Sequence, residues 1–188
     1  MIKNDFQYSI KYKNCMEVLL LIVLLLSSFF ANRGIAAQVQ VSDMGAQRLY
    51  DKAYKMNKLL KMEYNFDGLE HVGEMTEDSP YDNYCTGLGE YGHAALVTFY
   101  ANKAGYVSKI TIFSKYGDSI ANKNLGIAMG IILISLGMDN HEYNVVKERL
   151  FSKGISDVWV KKTNRRIVLE LYSSDAKISV LRITAYDD

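Results

Sequence analysis

From Leu125 to Met138 the chain is apolar or glycine at every position except Ser135, with no polar face. A helix that is apolar all round has to be covered on nearly every side. Its 14 residues are too few to cross a hydrocarbon core, which takes about 20. The segment therefore demands a domain large enough to wrap it. Gly126 and Gly130 form a G-x-x-x-G pair inside it. In a water-soluble domain that pair is read as close backbone packing against a neighbour.

A second apolar run, Val18 to Ala31, follows a basic start (Lys3, Lys11, Lys13) and leads into Ile35-Ala36-Ala37. A positive n-region, an h-region of about 7–15 residues and a small-residue end are the layout of a secretory signal peptide. Residues 1–37 are read as that leader, cleaved after Ala36 or Ala37; the alternative is an uncleaved N-terminal anchor. Both place the lysines in the cytoplasm and the remainder outside it. The expected location is periplasmic or secreted, or membrane-anchored facing outward. Membrane contact is expected only through residues 18–31, if the leader is uncleaved. No Cys follows the h-region directly, so no lipid anchor is indicated.

Residues 38–188 read as a single domain of about 150 residues, enough to bury a core without staples. They hold 18 basic and 19 acidic side chains, a net charge of −1. No global field draws this part to nucleic acid or anionic lipid. Cys15 lies in the leader, so Cys85 stands alone and an internal disulfide is excluded. Cys85 is read as an inert thiol.

Hydropathy patterning gives an amphipathic helix over 42–62, with Leu49, Ala53, Met56 and Leu60 at helical spacing. Ser42 is its expected N-cap, and Asp51 with Lys55 an i,i+4 pair. Residues 63–93 lack either period, carry several glycines and Pro80, and are read as a long loop. Runs over 94–102 and 106–113 are rich in Val, Ile, Thr, Tyr and Phe, and Asn102-Lys103-Ala104-Gly105 joins them as a hairpin turn. Helices are expected over 118–136 and 140–152, the second opened by a capping box of Asp139 with Glu142. Three strands close the chain over 155–161, 166–172 and 177–186, the last expected to be buried on both faces. The predicted class is α+β: an antiparallel sheet of about five strands, made of a hairpin and a three-strand meander. A helix pair covers one face, and the N-terminal amphipathic helix, the loop or a partner covers the other.

Gly87-Leu88-Gly89-Glu90-Tyr91-Gly92 matches G-x-G-x-x-G. That motif binds pyrophosphate only between a strand and the helix it opens. Here a strand is expected to follow, Glu90 repels phosphate, and an exported location is poor in nucleotides. The run is read as a glycine turn. Cys85 with His71, His93 or His141 would supply a thiolate and base, yet no third residue is recognisably spaced to orient them. No zinc pattern, G-x-S-x-G, H-E-x-x-H or EF-hand loop occurs in residues 38–188. No cofactor and no metal are expected.

The strongest compositional signal is in residues 62–102, which hold eight carboxylates and no Lys or Arg. Tyrosines are interleaved with the acids. Tyrosine supplies contact area at low entropy cost, and carboxylates steer a basic partner. The candidate binding residues are Glu70, Glu74, Glu77, Asp78, Tyr81, Asp82, Tyr84 and Tyr91. The competing interpretation is a solvated loop whose tyrosines pack locally. Lys161, Lys162, Arg165 and Arg166 cluster at a hairpin tip and are read as solubility and edge protection. The function expected is an exported, non-catalytic protein-binding domain of a bacterial-type envelope, contacting a basic protein through its acidic loop; one concrete version is an inhibitor or immunity-type protein. The alternatives are an envelope hydrolase sited between the acidic loop and the sheet, and a structural envelope protein.

Overall fold

The computed structural model describes residues 38–60, 65–76, 79–89, 93–174 and 177–187. The leader reading falls on residues 1–37, outside these. In chain order the elements are β1 (Gln38–Val39), α1 (Ala46–Leu59), β2 (Glu70–Gly73), β3 (Asp82–Leu88), β4 (Ala95–Ala101) and β5 (Val107–Lys115). They continue with α2 (Ser119–Ser135), α3 (Asn140–Lys153), β6 (Ile155–Val160), β7 (Arg165–Ser174) and β8 (Ile178–Tyr186). The class is α+β, with three helices and one open antiparallel sheet.

Helix ends follow local chemistry. Asp118 caps α2 by accepting the N–H groups of Ile120 and Ala121, both at 3.0 Å. The capping box of Asp139 with Glu142 opens α3, and Gly154 closes it in the left-handed region at φ 71°. The first helix starts later than expected. Its N-cap is Gly45, without a side-chain cap. Ser42 is used one step earlier, where its Oγ accepts the Met44 N–H at 3.1 Å and tightens the entry turn. Asp51 accepts from Gln47 at 2.9 Å.

The sheet runs β2-β3-β4-β5-β8-β7-β6, with β1 pairing the end of β8 where β5 has run out. The expected hairpin is β4–β5 and the expected meander is β6–β7–β8. The count of about five strands was too low, because β2 and β3 lie within 63–93, the stretch read as a long loop. Low β-propensity at Asp82, Asn83 and Gly87 hides β3 in the sequence. Pairing with β4 over seven residues overrides that propensity, which in sheets is largely set by neighbours.

Register and strand alternation sort the side chains onto two faces. One face carries Thr86, Leu88, Val97, Phe99, Ile110, Ile112, Leu181, Ile183, Leu169 and Ile167, all buried. The helices cover this face: α2 lies over β4 and β5, and α3 over β6 and β7. Leu49 and Ala53 of α1 enter the same core. The first helix thus joins the helical layer rather than covering the second face. Among the described residues, no helix covers that second face. It carries Leu96, Tyr100, Lys109, Phe113, Arg182, Glu170, Tyr172 and Trp159. Val180 and Thr184 of β8 are nevertheless buried there, with Arg182 half-exposed between them, so β8 is buried on one face and partly buried on the other.

The apolar helix α2 is the centre of the helical layer. Lys52 of α1 donates to the Ser135 carbonyl at its C-terminal end, and Tyr143 of α3 packs against Gly130. The first turn of α2 (Ser119, Ile120) and Asn122 and Lys123 are exposed, and beyond them a stripe through Gly126, Ile127, Gly130 and Ile134 is left partly open. Close packing holds at Gly130, where an added Cβ would come within 3.2 Å of the Tyr143 hydroxyl. It fails at Gly126, where an added Cβ would meet nothing within 4 Å. Among the described residues, no helix is long and apolar enough to cross a membrane.

Candidate functional site

The acidic region is organised by the β2–β3 hairpin. Among the described residues β2 is the outer strand of the sheet, paired on one side only, with Glu70, His71 and Val72 exposed. An edge strand presents a row of unpaired N–H and C=O groups to solvent. Glu70 sits opposite Cys85 in the register, and Glu74 is exposed just past the strand end. These two carboxylates bracket the free edge.

Asp82 and Tyr84 have internal tasks. Asp82 accepts the Met75 N–H at 2.9 Å and lies 4.0 Å from Nε2 of His71, tying the loop back onto the hairpin. Tyr84 packs on His71, the two rings tilted by 39° with centroids 4.9 Å apart, and lies against the core. Phe66 likewise packs on Tyr50 and Tyr54 of α1. Tyr81 turns to the uncovered sheet face, edge-on to Tyr100 at 6.1 Å. Nζ of Lys109 sits 3.9 Å from the Tyr100 centroid and 5.4 Å from that of Tyr81. Burial, and secondarily the Arg182 charge, pull the Lys109 pKa below the usual lysine value. Glu77, Asp78 and Tyr91 lie outside the described residues.

The Cys–His pairing is not assembled. Cys85 is half-buried, its Sγ accepting from the Thr98 hydroxyl at 3.8 Å. His93 engages a different partner, with its Nδ1 2.8 Å from Oδ2 of Asp118. The Asp118 carboxyl is held below the usual range chiefly by the Ala121 N–H. Burial opposes that shift, while His93 and the Ile120 N–H add to it. Asn124 completes the corner by donating to the His93 carbonyl at 2.9 Å. Sequence spacing gave no signal for this pair, because residues 93 and 118 meet only when β4 and β5 return the chain to the start of α2.

The glycine run does not form a nucleotide turn. β3 extends through Leu88, Gly89 takes φ 112°, and the next element is strand β4 rather than a helix. Gly87 lies against the exposed Asp67 carboxylate, whereas Gly89, at positive φ against the buried Asn124 amide, has no room for a side chain. Among the described residues, no group of three or more His, Cys, Asp or Glu is arranged to hold a metal ion. The basic hairpin tip is partly neutralised: Arg165 pairs with Asp43, and Arg166 with Asp157 at 2.8 Å.

Comparison with models of known families, with curated proteins and with solved structures returns no match to this chain.

Proposed function

We propose that the exported domain is a non-catalytic, inhibitor- or immunity-type binding protein, and that its contact surface is the free edge at β2. One observation carries this reading. Glu70 and Glu74 stand exposed at either end of a strand that, among the described residues, is paired on one side only. A strand added to such an edge gains affinity from main-chain hydrogen bonds and specificity from side chains. Carboxylates at the edge select a basic segment and speed its encounter. Val72, 56% exposed between them, supplies an apolar contact. Asp82 and Tyr84 support the surface by fixing the hairpin rather than by touching the partner.

The test is capture of a basic protein from envelope extract by the purified chain, with the partner identified by mass. Glu70→Lys with Glu74→Lys should abolish capture, and Asp157→Lys on the far edge should leave it intact. Capture that survives the double reversal would remove the edge from consideration.

The hydrolase alternative has one observation in its favour. Asp118 orients His93 through Nδ1, the arrangement by which a carboxylate prepares an imidazole as a base. Hydrolysis of envelope substrates that is lost in His93→Gln would select that reading instead.

A further inference from the structure

On the outer side of the helical layer a groove of about 500 Å³ runs along α2. Gly126, Gly130 and Ile134 line its floor, and Leu60 and Phe151 stand at its sides, 43% and 56% exposed. Its depth comes from composition. At Gly126 the floor has no side chain and an added Cβ would enter open space. The volume lies within the roughly 300–1,000 Å³ typical of small-molecule sites, which pair an apolar lining with a few polar groups.

The charged groups here are of one sign. Lys123 and Lys147 stand at the groove, both exposed, and no acidic side chain among the described residues lines it. Neither lysine forms an ion pair among the described residues. That asymmetry decides between occupants. A second copy meeting this surface about a two-fold axis would set the patch against itself, lysines facing lysines. A partner helix, about 10–12 Å across with its side chains, would rest on Leu60 and Phe151 rather than reach the glycine floor. An extended hydrocarbon chain is narrow enough to lie on that floor, and an anionic head would meet Lys123 and Lys147.

We propose that this groove binds a single-chain anionic amphiphile, a long-chain carboxylate taken up as a monomer from solution. The apolar tail lies along Gly126, Ile127 and Ile134, passing beside Tyr143 where that ring covers Gly130, and its carboxylate pairs with Lys123 and Lys147. The floor spans about 18 Å from Asn122 to Ile134 at the helical rise, the length of a long acyl chain. The overall charge near zero conceals this site because the two cations act locally.

The probe is oleate below its micellar concentration, titrated calorimetrically into the purified protein. Saturable one-to-one binding is expected. Gly126→Leu should weaken it by about tenfold or more while leaving the melting temperature undiminished, since leucine replaces glycine in a helix facing open space. Lys123→Glu and Lys147→Glu should each weaken oleate roughly fivefold and leave uncharged monoolein unaffected. Four outcomes would overturn the proposal. They are absence of saturable binding, oleate affinity unchanged in Gly126→Leu, binding to phosphatidylglycerol vesicles but not to monomeric oleate, and a homodimer in sedimentation that Gly126→Leu dissociates.

Discussion

The carboxylate of Glu142 accepts the backbone N–H of Lys161 at 3.2 Å, joining the first turn of α3 to the end of β6. Its other oxygen accepts the Asp139 N–H at 3.0 Å, so one buried side chain serves both the helix cap and the sheet. Glu142→Ala would leave two amide donors without their acceptor. A loss of about 1–3 kcal/mol is expected, read as a lower urea midpoint at unchanged slope. Asp139→Ala removes only the cap and should cost about 1 kcal/mol.

Acid should find the corner between His93 and Asp118. A carboxyl whose folded-state pKa is depressed stabilises the fold above its unfolded value, about 3.9. That contribution fades as pH falls through the lower folded value. Asp118→Asn retains the shape and removes the titration. Urea unfolding from pH 6 down to pH 2 should show the wild-type advantage constant at the upper end and shrinking in the acid range. A gap between the two proteins that stayed constant throughout would contradict this origin.

Two glycines should respond oppositely to the same substitution. Gly126→Ala adds a methyl group to open space in a helix and should raise stability by up to about 1 kcal/mol. Gly89→Ala places a Cβ at φ 112° against the Asn124 amide and should lower the melting temperature. Thermal unfolding of both variants side by side checks the sign of each.

Position along β8 should grade the cost of truncation. Ile183 is fully buried and Ile178 is 38% exposed at the strand's start. Ile183→Ala is expected to cost about 2–5 kcal/mol, and Ile178→Ala under about 1 kcal/mol. Denaturant midpoints of the pair measure the contrast.

The elements readable in the sequence were those with a dense local signal. The unbroken apolar surface of α2 announced a helix wrapped on nearly all sides, and Asp139 with Glu142 announced the start of α3. Strands β4 to β8 carried enough Val, Ile, Thr and Tyr to be placed within a residue or two. β3 was not readable, since Asn83, Cys85 and Gly87 occupy its outward positions and only pairing with β4 makes it a strand. The acidic region was visible by composition, yet composition treats all its members alike. The fold divides them: Glu70 and Glu74 face solvent, Asp82 and Tyr84 brace the hairpin, and Tyr81 joins Lys109 on the opposite face. The groove was foreshadowed only by Gly126 and Gly130, and spacing alone could not tell that one is packed and the other open.

β8 is the last of the described strands, yet it lies inside the sheet rather than at an edge. It joins β5 on one side to β7 on the other. Without it, the β2–β5 block and the β6–β7 hairpin share no backbone hydrogen bond among the described residues. Ile110 waits about 70 residues of chain for its partner Ile183, a separation that slows folding. β8 is thus the seam of the sheet: the strands on its two sides become one backbone ladder only through it.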